Sequence, residues 1–165
     1  MAARRSQEYR FRTAFHAPLP FVFRWCTDYQ PSDARLENEG FERRIVERGP
    51  RRVIFEDIEE TPQGWTWRRH VVTLRPPDRW HSDSVGNYRD FQLDYRLRPL
   101  RDGRTELTFR GRRRPAILAS KNPTVEEFRR SMDASWRHFR RHLENDYRRS
   151  LARRGTRRRS RPRSR

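Results

Sequence analysis

The chain has 165 residues, 32% hydrophobic and 12% aromatic; that length holds one domain with a real core, and rings spread along it exclude wholesale disorder because they offset ordering entropy efficiently. Lysine and arginine total 40 against 22 acids, a net charge of +18, which favours polyanionic partners and says nothing about fold. Taking away the eight arginines of residues 153–165 leaves +10, so the body is basic as well as the tail.

After a short basic lead (1–7), "EYRFRTAFHA" (8–17) alternates: Tyr9, Phe11, Thr13 and Phe15 fall on one face, Arg10, Arg12 and His16 on the other. Period two marks a half-buried strand. Pro18 and Pro20 open "LPFVFRWCTDY", where proline suits a first helical turn and Phe21, Val22, Trp25 and Cys26 can share one face. "QPSDARLENEG" (30–40) is a loop or a short second helix. Six runs follow, at 40–49, 51–61, 65–75, 79–87, 88–100 and 104–113, divided by turn signals such as Gly49–Pro50 and Asp102–Gly103. In the fifth, Phe91, Leu93, Tyr95 and Leu97 point one way and Asp90, Gln92, Asp94 and Arg96 the other. This predicts an antiparallel meander with one solvated face.

Beyond it the period changes. Val125, Phe128, Met132, Trp136, Phe139, Leu143, Tyr147 and Leu151 recur at a mean step of about 3.7 residues, close to the helical repeat. Thr124 with Glu127 forms a capping box, Asn122–Pro123 is a second possible start, acids come early and arginines late. Gly155 is the expected stop, and a disordered arginine-rich tail (153–165) follows. The domain proper is 8–152.

The expected fold is α+β: a curved seven-stranded antiparallel sheet wrapped round a long C-terminal helix, with one or two short helices after the first strand. Only the last helix is long enough to cover the concave apolar face, and such an arrangement leaves a cavity between sheet and helix. In this order of elements, with "PLPFVFRWCTDY" after the first strand and "NPTVEEFRRSMDASWRHFRRHLENDYRR" at the end, residues 8–150 resemble the START-like, helix-grip (SRPBCC) superfamily, nearest its polyketide cyclase/dehydrase and lipid-transport-like group. The resemblance implies a hydrophobic cavity for a lipid- or polyketide-like molecule. The superfamily has no universal catalytic residues, so catalytic positions stay unknown and enzyme activity stays open.

The candidate cavity residues are Trp67, Trp80, Tyr88, Phe91 and Tyr95 on the strands and Phe128, Met132 and Trp136 on the last helix, with Arg69 and His70 as polar candidates. Rings at these positions serve an ordinary core or a ring-lined pocket, and the poverty in Leu, Ile and Val suits the pocket. Arg69 and His70 are neighbours on one strand, so one points inward, where it can polarise a carbonyl or bind a carboxylate; His81 and Ser82 pose the same choice. The four acids of "FEDIEE" (55–60) alternate faces and read mainly as a surface foil to the arginines.

His138 and His142 stand i, i+4 on the helix with no third ligand nearby in sequence, so no metal is expected, and no cofactor motif is present. Cys26, the only cysteine, excludes an internal disulfide and a cysteine-rich zinc site. Lys121 is the only lysine; an arginine bias of this kind reads as a genome-composition or high-temperature signature before it reads as a binding code. The tail suits sequence-independent polyanion contact or a solubilising end. No run approaches a membrane span and no signal peptide opens the chain, so a cytoplasmic protein is expected. The leading function is binding or transport of a small hydrophobic ligand. The alternatives are a cyclase or dehydratase in the same cavity, and a nucleic-acid or partner-binding module that uses the basic surface.

Overall fold

A computed structural model describes residues 7–36, 41–61, 64–87, 90–113 and 124–159. In chain order the elements are β1 (Gln7–Phe15), α1 (Leu19–Thr27), α2 (Asp33–Leu36), β2 (Phe41–Arg48), β3 (Arg52–Thr61), β4 (Gly64–Arg75), β5 (Arg79–Gly86), β6 (Phe91–Pro99), β7 (Thr105–Arg113) and α3 (Val125–Arg159). The seven strands form one sheet in the order β1-β7-β6-β5-β4-β3-β2, antiparallel at every step. Consecutive hairpins build β2 to β7, and β1 returns to pair with β7 at the far edge. The expected helix-grip architecture is the observed one.

Alternation decides which side chains go inside. On β7, Thr105, Leu107, Phe109, Gly111 and Arg113 are buried while Arg110 and Arg112 face solvent. Phe15, Val72, Leu97 and Leu107 are sealed from water, each stabilising the fold by roughly 1.5–3 kcal/mol through burial. Gly111 is required by its partner: the Tyr9 ring lies across it, and a Cβ there would come within 2.2 Å of that ring.

Helix α3 starts on the expected box. The Thr124 amide donates to Glu127 Oε2 (2.7 Å) and the Glu127 amide to Thr124 Oγ1 (3.1 Å), so two amides without intrahelical partners are satisfied reciprocally. The alternative start at Asn122–Pro123 lies outside the described residues. Trp136 and Leu143 are buried on the inner face of α3, and Trp136 meets Phe11, Phe15, Tyr95, Phe109 and Phe139 at centroid distances of 5.5–6.4 Å.

The helix passes through Gly155, the expected stop, and continues to Arg159. One glycine costs a helix about 1 kcal/mol, and arginines both propagate a helix and suit its C-terminal dipole. Residues 1–6 and 160–165, the bulk of the lead and the end of the tail, lie outside the described residues. No helix among those described is long and apolar enough to cross a membrane.

Helix α1 lies between sheet and α3. Phe23, which the one-face reading of this helix omits, is buried edge-on to Trp80 (6.0 Å), and Phe21 meets Tyr147 (5.0 Å). Trp25 Nε1 donates to Asp146 on α3 (3.1 Å). After α1, Tyr29 adopts φ 42°, a left-handed conformation that costs a side-chain-bearing residue about 1–2 kcal/mol. Its ring stacks on Phe55 (5.0 Å, 28°) and its carbonyl accepts a hydrogen bond from Arg48 Nη2 (3.0 Å), so the strained turn is held from both sides.

Candidate functional site

Between the concave face of the sheet, α1–α2 and the first half of α3 lies a cavity of about 1220 Å³. Its walls are the rings of Tyr9, Phe55, Trp80, Phe91, Tyr95, Phe128 and Trp136, with Met132. Trp80 stacks on Tyr95 (4.7 Å, 7°) across the β5–β6 ladder, and Phe128 meets both Tyr9 (4.6 Å) and Phe91 (6.1 Å).

Of the ten sequence candidates, Trp80, Phe91, Tyr95, Phe128, Met132, Trp136 and His70 line this space. Trp67 borders it, yet by alternation stands in the same phase as Arg69. Arg69 is on the outer face: its Nε donates to Glu56 Oε1 (3.0 Å), and its guanidinium lies 5.8 Å from the Trp67 ring. The strand register settles this, because Glu56↔Arg69 is an outward pair and Phe55↔His70 an inward one. Tyr88 lies outside the described residues. Of the next neighbouring pair, Ser82 is inward and lines the cavity, while His81 is outward between Asp83 (3.0 Å) and Asp94 (2.7 Å).

The polar end of the cavity is built by the candidate His70, by Arg43 and Asp33, which are not among the sequence candidates, and by Asp57, one of the acids of 55–60 expected as a surface foil and instead buried. Arg43 of β2 forks onto Asp57 of β3, Nε to Oδ1 at 2.8 Å and Nη2 to Oδ2 at 2.9 Å, and Nη1 reaches Asp33 Oδ2 at 3.3 Å. The guanidinium lies over the Phe55 ring at 4.3 Å. The side chains of Arg43 and Asp57 are only 6% and 4% exposed, which makes this a buried, bidentate pair rather than a surface ion pair worth little. His70 stacks flat on the other partner of the cluster, Phe55 (4.4 Å, 11°), with Nε2 3.4 Å from Asp57 Oδ2 and no well-formed hydrogen bond between them. Register brings these groups together: Arg43↔Asp57 and Asp57↔Arg68 make one cross-strand row, Phe55↔His70 the next.

A sequence signal for this end exists. Arg43 stands in the apolar phase of Phe41 and Ile45, and Asp57 in the phase of Phe55, so alternation points both inward.

Electrostatics follow from burial and pairing. Burial alone would raise Asp57, but contacts with His70 and Arg43 outweigh it and hold the carboxyl at about 2. For His70 burial is the largest influence and keeps the imidazole below its ordinary value, with Asp57 pulling the other way, so the ring is neutral at pH 7. Burial pushes the Cys26 thiol up, which makes it a poor nucleophile. Asp28 lies at the C-terminal end of α1, where the helix dipole disfavours an anion. Its carboxyl is pushed up to about 6, first by withdrawal from water and then by Asp33, with Arg48 opposing.

A folded value above the unfolded one means that the stability contributed by protonated Asp28 is complete below about pH 4 and lost as pH rises through 6. Asp28→Asn is therefore expected to stabilise the protein at pH 7–8 and to change nothing below pH 4. Because the side chain is partly exposed, the gain is under ~1 kcal/mol. Thermal unfolding at the two pH values reads it.

His138 and His142 lie 4.5 Å apart on α3. Among the described residues no three His, Cys, Asp or Glu side chains gather as a metal site.

No protein-family model and no curated protein matches this sequence. Solved structures match its fold. The Zhui aromatase/cyclase from Streptomyces sp. R1128 superposes with a TM-score of 0.62 at 13% identity, over 89% of this chain and 96% of that one. The di-domain aromatase/cyclase StfQ of the steffimycin biosynthetic pathway gives 0.65 at 16% identity, over 89% of this chain and 52% of that one. A START superfamily protein from Mycobacterium smegmatis gives 0.60 at 12% identity, over 86% and 97%. At these identities the likeness is one of fold: the chain has the helix-grip architecture of these proteins.

Proposed function

We propose that the protein binds a small, largely apolar aromatic molecule, lipid- or polyketide-like, between the sheet and α3. Its rings lie among Trp80, Tyr95, Phe128 and Trp136, and one polar group reaches the Arg43–Asp57–His70 end. The observation that carries this reading is the cavity itself. About 1220 Å³ exceeds what most small-molecule sites need, and an apolar wall with a few convergent polar groups is the usual form of such sites. A fold shared with aromatase/cyclases and a START protein supports it.

A second reading, a cyclase or dehydratase, is favoured by one observation: a neutral imidazole and a buried guanidinium stand beside a carboxylate in the cavity. His70 takes a proton from the carbon next to a ligand carbonyl, and the resulting enolate carbon bonds to a second carbonyl. The proton then returns to that oxygen, giving a hydroxyl; His70 next takes the second proton from the same carbon and passes it to the hydroxyl, which leaves as water while a carbon–carbon double bond forms.

Native mass spectrometry of the purified protein tests for a co-purified small molecule, and Nile red fluorescence reports access to the cavity. One dye per chain is expected, with binding abolished in Ser135→Trp, whose new ring enters the space from α3. Failure of wild type to bind, or an unaffected Ser135→Trp, overturns the binding reading. His70→Gln separates carrier from enzyme: it retains dye affinity in both, but ends conversion of a poly-β-keto substrate in the enzyme alone.

A further inference from the structure

The convex face of the sheet, opposite the cavity, carries a row of arginines that the register fixes. Arg75 of β4 is directly opposite Arg79 of β5, and Arg79 is directly opposite Arg96 of β6. The row runs on through Thr108 of β7 to Arg12 of β1, and all five residues are exposed. Like charges in directly opposed positions cost a sheet stability.

The carboxylates of this face stand elsewhere on it: Glu47 beside Arg52, Glu56 beside Arg69, Asp83 and Asp94 around His81, and Glu8 between Arg110 and Arg112. Within the row only the loose contacts Arg79–Asp78 and Arg12–Glu106 occur, each at 3.7 Å. Apart from the backbone ladder, the side chains of Arg75 and Arg96 make no ion pair or hydrogen bond with any described residue.

We propose that this row is a second binding surface, a sequence-independent contact for the phosphodiester backbone of nucleic acid. Strands about 4.8 Å apart give the row a span of about 19 Å, long enough to follow several successive phosphates. Guanidinium forks match phosphate oxygens and share one anion between neighbours, which relieves the repulsion along the row. Among the described residues the large apolar side chains that are exposed, Val46, Trp65, Val85, Val125 and Leu151, are all outside the row, so the row itself offers no anchor for insertion into a lipid surface. Nothing in it reads a base edge. The site is independent of the cavity and of the arginine-rich tail.

The test is fluorescence anisotropy of a labelled oligothymidylate titrated with the full chain across a salt series. Two triple variants with the same loss of charge are compared: Arg75→Ser/Arg79→Ser/Arg96→Ser in the row, and Arg130→Ser/Arg137→Ser/Arg140→Ser on the exposed side of α3. The row triple is expected to weaken binding about tenfold or more at low salt and to lower the slope of log affinity against log salt by about 2; the α3 triple changes affinity only a few-fold. The row triple also melts no lower than wild type, since its repulsion is gone. Equal losses in the two triples mean that net charge or the tail binds the strand, and overturn the proposal. So does a row triple that keeps its oligonucleotide affinity while losing binding to phosphatidylglycerol vesicles, which makes the surface a membrane contact.

Discussion

Replacing Arg43 by methionine is expected to cost about 3–5 kcal/mol of stability, because it leaves Asp57 buried without its compensating charge. The side chain of Asp57 is 4% exposed, and two of its hydrogen bonds come from that one guanidinium. Methionine fills the volume and restores neither. The pH dependence gives a second signature. In wild type Asp57 titrates at about 2, below its unfolded value, so its contribution is complete above about pH 4 and lost as pH falls through 2. Without Arg43 that contribution is missing at neutral pH already, and the loss in acid becomes shallower. Removing both partners, Arg43→Met with Asp57→Leu, should recover most of the stability, since a buried pair replaced by apolar groups is often neutral or stabilising. Urea unfolding followed by tryptophan fluorescence at pH 7 and pH 3 reads all three proteins. A loss below about 1 kcal/mol for the single variant would show that the pair is solvated in solution.

Trp136→Ala is expected to destabilise by about 3–5 kcal/mol. This indole joins five rings from β1, β6, β7 and α3, so its removal opens a hole at the contact between helix and sheet rather than at one strand. Trp136→Phe should cost far less, about 1 kcal/mol. The indole Nε1 is buried without a hydrogen-bond partner, and discarding an unsatisfied donor removes a penalty that offsets part of the lost area. Equilibrium unfolding of both variants gives the difference. If phenylalanine proves as damaging as alanine, the indole N–H has a partner in solution and Trp136 is tied to the cavity by more than packing.

Much of the fold was legible in the sequence because two periods announce it. Alternation around Phe91–Leu97 and Tyr9–Phe15 can only be satisfied by strands with one wet face, and the stripe from Val125 to Leu151 only by a helix. Gly155 does not end α3, because a single glycine is a weak stop when arginines surround it. Seven of the ten proposed cavity residues face the cavity, because they fall in the inward phase of their strands or on the inner face of α3, whereas the Trp67 ring falls in the outward phase beside Arg69.

The polar end was harder to read. Adjacent charges such as Arg43–Arg44 and Arg68–Arg69 look alike in composition and differ only in phase. Choosing the inward member requires the register of β2 on β3 and β3 on β4, a property of pairs of strands that no single segment carries. Without that register Arg69 and His70 are equivalent candidates; the pairing of Arg69 with Glu56 tells them apart.

The pairing of β1 with β7 has a consequence for how the molecule assembles. Its partners, from Gln7–Arg113 to Phe15–Thr105, lie roughly a hundred residues apart, and closing so long a loop is slow although its cost grows only with the logarithm of length. The hairpins β2 to β7 can form in order as the chain emerges, each from neighbours in sequence. The first strand has to wait for the seventh. Until it docks, β7 is a bare edge and the inner face of α3, whose main contact in the sheet is β1, has no seat. The first strand is thus the last to join the sheet, and the cavity is closed only when α3 then settles on it.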